Sequence, residues 1–400
     1  MSTANDMYKA TFFLLAGVLP ISVLAQKSDG LRLGHFKISP YVSIEAAYDS
    51  NIRLQVDNQE DIIYRINPGL DVEYAGTDWG VVGNAWYAYD LYQKYDILNA
   101  HRYGEDLEIY VESVKGWKFR LGERYNFSNQ NDTMLSGGSG IWRNRHQLDI
   151  DAVLAYEISE RWSVGLNAMY TDNWFDSKTE NGQQVYQPLY GFSSAQIGAE
   201  TDYALTPKTG LILNGSYQRY MSEGDVQGEN AESDGYTLMG GFGSRFTERL
   251  KYRILVGANI YSTEDETSIS PALNANINWM MSPRWALTLA TATYYQPSET
   301  VKGQSKNIWA LSAGVSYKPT ERIDMSVDAV YRREDCQAMY NQGVTAQDYV
   351  TDQYVARYRV AYWFIRYASV YAAAEYTFQT DEILDDWERY RISIGCLFRY

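Results

Sequence analysis

Three histidines, His35, His101 and His146, are all the imidazoles this chain has, and they bound its acid–base chemistry tightly. A hydrolase needs a nucleophile and a base held within hydrogen-bond reach. His146 lies in Arg143-Asn144-Arg145-His146-Gln147, with no serine two positions on to be activated, and His101 has no evident set of carboxylate partners. Scattered histidines do not make a ligand set, and acidic runs such as Glu264-Asp265-Glu266 are ordinarily solvated. The expectation is therefore no catalytic residue, no metal and no cofactor.

Charge at alternate positions is the feature that does suggest a role. Lys118, Arg120 and Arg124 lie on one face of an extended segment, between Asp106, Glu108 and Glu112 before it and Asp149, Asp151 and Glu157 after it. Arg357, Arg359 and Arg391 form a second basic group further along. Rings of charge lining a pore impose a field on a passing solute; the other reading is that the charges pair across strands and only make a wall wettable. The stretch Leu135-Ser136-Gly137-Gly138-Ser139-Gly140 adds Gly137, Gly138 and Gly140 as a candidate constriction loop, the alternative being a plain surface loop.

The segments that position these residues are strands. From residue 37 onward, apolar and polar side chains alternate with a period of two: Val42, Ile44, Ala46 and Tyr48 against Ser43, Glu45, Ala47 and Asp49, and later Leu148, Ile150, Ala152, Leu154 and Tyr156 against Asp149, Asp151 and Glu157. Each run matches the roughly 9–11 residues of a tilted membrane strand. Short turns at positions such as 76–79, 159–162, 206–209, 282–285 and 365–368 alternate with longer polar connections, among them 128–142, 174–188, 222–233, 296–306 and 333–350. Counting between them gives about eighteen strands, with sixteen as the nearest alternative. A propeller fits poorly, because a blade would need four short strands in the length that here holds two long ones.

The 36 tyrosines and 11 tryptophans gather at strand ends. Tyr74, Trp117, Tyr156, Trp162, Tyr203, Tyr252, Trp285, Tyr317 and Tyr400 mark the short-turn end. Tyr48, Tyr89, Tyr125, Tyr170, Tyr217, Tyr236, Tyr295, Tyr331, Tyr376 and Tyr390 mark the other. Two aromatic girdles separated by aliphatics are what two membrane interfaces select. The net charge of −15 offers no basic stripe to neutralise phosphates, so no nucleic-acid partner is expected. Cys336 and Cys396 are not expected to pair.

The ends of the chain give an address. Lys9 precedes the apolar run 10–25, which closes on Val23-Leu24-Ala25, so residues 1–25 read as a signal peptide and 26–36 as a short segment before a barrel over 37–400. No later stretch approaches the ~20 apolar residues of a membrane helix, and a membrane-spanning sheet must close on itself to satisfy its backbone. The final strand alternates to the last residue. Its Gly395, Phe398 and Tyr400 resemble the C-terminal signal by which bacterial outer-membrane barrels are handed to the barrel assembly machinery.

Pro40-Tyr41-Val42-Ser43, Tyr48-Asp49-Ser50-Asn51-Ile52, Asp61-Ile62-Ile63 and Asn67-Pro68-Gly69-Leu70 resemble the opening of the outer-membrane β-barrel porins of the beta-barrel porin 2 type, which often occur with exopolysaccharide or exosortase systems. The resemblance implies an outer-membrane barrel in contact with lipid and a probable pore, and it supplies no catalytic residues. The resulting expectation is an all-β, transmembrane, antiparallel up-and-down barrel passing small hydrophilic solutes. The alternatives are a component of polysaccharide export, and a closed structural barrel whose inward Trp86, Tyr110 and Trp363 fill the lumen.

Overall fold

The computed structural model describes residues 30–54, 58–113, 116–129, 144–176, 179–180, 183–184, 191–222, 231–244, 249–262, 267–297, 305–337, 349–382 and 386–400. The signal-peptide reading of 1–25 and the candidate constriction glycines Gly137, Gly138 and Gly140 lie outside them.

Eighteen long strands form one closed wall. In chain order they are β1 Phe36–Asp49, β2 Asp61–Ala75, β3 Trp79–Tyr92, β4 Ala100–Glu112, β5 Trp117–Ser128, β6 Arg145–Ser159, β7 Trp162–Phe175, β8 Phe192–Ala204 and β9 Thr209–Ser222. They continue as β10 Ala231–Ser244, β11 Leu250–Ser262, β12 Thr267–Ser282, β13 Trp285–Pro297, β14 Ser305–Thr320, β15 Ile323–Gln337, β16 Tyr349–Ile365, β17 Ala368–Asp381 and β18 Trp387–Arg399. Each pairs antiparallel with the next, and β18 returns to β1 in a register running from Tyr41↔Arg399 to Asp49↔Arg391. The count agrees with the larger of the two sequence expectations.

Alternation in the sequence becomes inside and outside in the wall, because paired residues share a face. Leu238 at 71% and Ile394 at 66% exposure stand on the outer surface with no protein over them. Leaving such aliphatics in water would forfeit ~1.5–3 kcal/mol each, whereas lipid accepts them. Short-turn ends carry stacked rings on the same face: Trp117 on Tyr156 at 4.3 Å, Trp285 on Tyr317 at 4.1 Å, and Tyr367 on Tyr400 at 5.6 Å.

The short turns have a chemical explanation. Ser159 Oγ accepts from Arg161 N (3.3 Å) and Trp162 N (3.2 Å), and Ser282 Oγ from Arg284 N and Trp285 N, both 3.2 Å. Thr206 Oγ1 holds Lys208 N and Thr209 N in the same way. A hydroxyl thus satisfies amides the ladder cannot reach and starts the next strand at its aromatic anchor.

One girdle assignment needs correction. Tyr295 is not on the outer surface: it is 6% exposed, stacks on Tyr261 at 4.9 Å, and shares a 3.2 Å hydroxyl contact with Ser268. The cause is local. Backbone pairing of β12 with β13 starts only at Asn274↔Ala292, just past Pro271. There Thr293 Oγ1 takes over, accepting from Leu273 N (2.9 Å) and donating to Pro271 O (3.2 Å), and the loop end of β13 turns onto other protein.

Candidate functional site

The wall is one sheet thick and its buried hydrophobic clusters are small, Ile52, Ile63, Tyr92 and Leu98 in one and Tyr220, Tyr261 and Tyr295 in another, so the inner surface is where function has to be sought. Its most charged part straddles the closure between β18 and β1. Arg389 Nε donates to Asp49 Oδ2 at 3.0 Å, Arg391 pairs with Glu45 at 3.3 Å, and Arg399 pairs with Asp71. Three same-face positions of the last strand, two near its start and one at its end, therefore grip the first hairpin. Glu45 also accepts from the Tyr371 hydroxyl at 2.9 Å and lies 3.7 Å from Arg65, which forks onto Asp90 at 2.5 and 2.8 Å. Arg102 reaches the same Asp90, whose side chain is 1% exposed, at 3.4 Å.

The sequence-predicted charges sit at both ends of this arc. Arg357 pairs with Glu375 at 2.6 Å, and Glu375 in turn lies 4.0 Å from Arg389. Arg359 instead lies over the Tyr371 ring, 4.6 Å from its centroid. At the other end, Arg120 bridges Glu108 (3.3 Å) and Asp151 (2.7 Å), Arg124 pairs with Asp106 (3.4 Å) and Lys118 with Glu157 (3.2 Å). Asp149 accepts from Thr171 (2.8 Å) and Gln147 (2.9 Å). The two basic groups belong to one charged arc, and most of their members are neutralised by the neighbouring strand.

Inward aromatics on this arc lie along the wall. Tyr110 is registered against Gly80, and a Cβ on that glycine would come within 2.3 Å of the ring. Tyr371 covers Gly395 and Tyr41 covers Gly69 in the same manner, while Trp86 Nε1 passes over Gly104. Trp363 is tied back by a 2.9 Å bond from its Nε1 to Asp324. The last strand's Gly395 thus has a packing partner, while Phe398 and Tyr400 face outward at its end.

Across the lumen the chemistry changes. Strands β7 to β12 present Asn167, Gln196, Asn214, Gln218, Asn259 and Asn274 along one concavity. Asn214 donates to Glu200 (3.1 Å), Gln218 to Ser194 (3.3 Å), and Thr237 donates to Asn259 (2.7 Å). The same Glu200 holds the charged pair of this side, with Arg253 forking onto it at 2.7 and 2.5 Å. Sequence reasoning passed over this amide wall, although the alternation Asn274-Ala275-Asn276-Ile277-Asn278 announces it. Among the described residues no group of histidine, cysteine and carboxylate side chains is arranged to hold a metal, and Cys336 and Cys396 are both free thiols.

Comparison with known proteins gives a family. A model described as Putative beta-barrel porin 2 matches residues 26–400. Among solved structures the chain is similar to a mutant form of the ferric enterobactin receptor of Pseudomonas aeruginosa, at 8% identity and TM-score 0.45, covering 91% of this chain and 80% of that one. It is likewise similar to the ferric-catecholate import receptor Fiu of E. coli K12, at 8% identity and TM-score 0.44, covering 93% and 82%. The outer membrane protein OpdK of Pseudomonas aeruginosa is matched at 10% identity and TM-score 0.42, covering 91% and 99%. No curated protein matches.

Proposed function

Because the chain belongs to the Putative beta-barrel porin 2 family, we propose that it is an outer-membrane pore through which small hydrophilic solutes diffuse passively. The observation that carries this reading is the posture of the inward rings. Tyr41, Trp86, Tyr110 and Tyr371 lie over glycines of the neighbouring strand instead of projecting across the barrel, so these four rings line the wall and leave the lumen beside them clear. A ring of this many strands is wide enough for an aqueous channel, and much of its inner face carries charged and amide side chains. Short turns would face the periplasm and long connections the exterior. The pore-lining set would then be Lys118, Arg120, Arg124, Asp149, Asp151, Arg357, Arg359 and Arg391, acting less as bare charges than as a paired, hydrated surface. Gly395, Phe398 and Tyr400 would serve recognition by the assembly machinery, and no step here calls for a catalytic group.

Proteoliposome swelling tests the proposal. Vesicles carrying the protein should swell in isotonic solutions of small neutral solutes such as arabinose, at rates that fall as solute size rises. Vesicles that hold the folded barrel and swell no faster than empty ones would refute it.

A further inference from the structure

Charge is distributed differently on the two rims of the barrel. Six consecutive short turns, from β6–β7 to β16–β17, carry an exposed cation just before the next strand begins: Arg161, Lys208, Arg249, Arg284, Arg322 and Arg366. Their backbones are fixed. A turn hydroxyl accepts from Arg161 N at 3.3 Å and from Lys208 N, Arg284 N and Arg322 N at 3.2 Å each. The carbonyls of Arg161, Arg249, Arg284 and Arg322 accept from an amide of the adjoining hairpin at 2.7–2.9 Å. Successive turns thus hold a cation at one position, on every second strand and so about 10 Å apart.

Partners distinguish this rim from the other. At the loop rim the exposed cations are matched: Lys94 by Glu60 (3.0 Å), Arg219 by Glu232, and Arg333 by Asp335 (3.1 Å). Tyrosines there also donate to carboxylates, Tyr217 to Asp234 and Tyr331 to Asp352, both at 2.7 Å. At the turn rim, Arg161, Lys208, Arg249, Arg284 and Arg322 form no ion pair among the described residues. Glu160, Glu248 and Glu321 precede three of them in sequence, whereas the turns 205–209, 281–285 and 365–368 contain no acid at all. Unmatched cations in a chain of net charge −15 call for an anion from outside it. Rings say where that anion lies. Trp162, Trp285 and Tyr367, all exposed, directly follow Arg161, Arg284 and Arg366, and the Arg366 guanidinium is 5.9 Å from the centroid of the Tyr367 ring. Such rings sit at the headgroup level of a bilayer, which puts the cations beside lipid phosphates; a soluble acidic partner has no use for rings at the charge.

We infer that the short-turn rim is a binding surface for anionic phospholipid headgroups, with a phosphate at each turn cation. This requires a barrel seated in a bilayer, whether or not it conducts. The purified full-length protein is reconstituted in phosphatidylcholine bilayers, and electron paramagnetic resonance measures how much chain-labelled phosphatidylglycerol or phosphatidylcholine is immobilised at its surface. At about 0.1 M salt, where the screening length of about 10 Å keeps the two rims apart, phosphatidylglycerol should be preferred about fivefold. Raising the salt to about 1 M should remove the preference, because screening then acts within about 3 Å. Arg161→Gln, Lys208→Gln, Arg249→Gln, Arg284→Gln and Arg322→Gln combined should leave less than about a twofold preference. Lys94→Gln, Arg219→Gln and Arg333→Gln combined, at the loop rim, should leave it unchanged, and heat-modifiable migration checks each fold. Equal immobilisation of the two lipids, a preference that survives high salt, or a wild-type preference in the turn variant would overturn the inference. So would polyglutamate binding through the same five side chains without any lipid preference, which assigns the rim to a soluble acidic partner.

Discussion

The lumen has two sides that solve different problems. Around the β18–β1 closure, arginines and carboxylates are interleaved so closely that Arg389, Arg391 and Arg399 each find an acid on the first hairpin. Half-way round the ring, β9 and β10 carry amides, hydroxyls and glycine. A closing sheet must bring the two ends of the chain into one register, and a one-residue slip would put every side chain on the wrong face. Charge-assisted bonds between specific partners discriminate against that slip, because misregistered charges are left unpaired. On the opposite side consecutive strands pair with each other, so no distant ends of the chain have to be brought into register. Charge at the β18–β1 closure therefore fixes the register of the two ends of the chain.

If this contrast holds, the largest effect should come from breaking the closure. Arg389→Ala with Arg391→Ala takes the arginine from Asp49, leaves Glu45 only Tyr371 and the more distant Arg65, and should cost about 3–5 kcal/mol for the first pair broken. It would be read as loss of the compact, heat-modifiable gel form at a markedly lower temperature. Asn274→Ala with Asn276→Ala on the amide wall should cost about 1–2 kcal/mol. Equal losses from the two changes would erase the distinction.

A smaller effect sharpens the argument about the rings. Gly80→Ala forces Tyr110 off the wall, with an overpacking cost of about 1–3 kcal/mol and a lower single-channel conductance. Tyr110→Ala added to it should restore the current. Smaller still, Arg120→Glu with Arg124→Glu adds carboxylates beside Glu108, Asp106 and Asp151 and should move reversal potentials toward cation selectivity. An unchanged potential would remove both from the ion path.

The least effect belongs to the loop rim, where Glu60 accepts from the Tyr48 hydroxyl (2.8 Å) and from Lys94 (3.0 Å). The Tyr48 hydrogen bond first, and Lys94 second, hold its carboxyl below the usual range. A lowered acid contributes stability above its unfolded pKa and loses it as pH falls through the folded one. Because the contact is fully solvent-exposed, Glu60→Gln should shift the melting temperature by no more than about 1 °C at neutral pH.

Much of this was legible in the sequence because a membrane wall is one residue thick: period-two alternation alone assigns Ile44 outward and Glu45 inward. Turn positions such as 159–162 and 282–285 were equally plain, since a hydroxyl residue and a following tryptophan recur there. Three things were hidden. The partner of Arg391 was out of sight, because alternation gives its face but not Glu45, which lies at the far end of the chain. Tyr295 read as girdle because the pairing lost near Pro271 is a property of two strands together. The direction of the Tyr110 ring was hidden because it depends on Gly80, a residue of another strand.

The central claim is that a folded barrel of this chain holds open a polar passage. Planar-bilayer recording of the purified protein, with heat-modifiable migration confirming the fold, tests it most directly. Discrete, ohmic current steps in potassium chloride are the predicted result, and a correctly folded preparation that inserts without producing any step would contradict it.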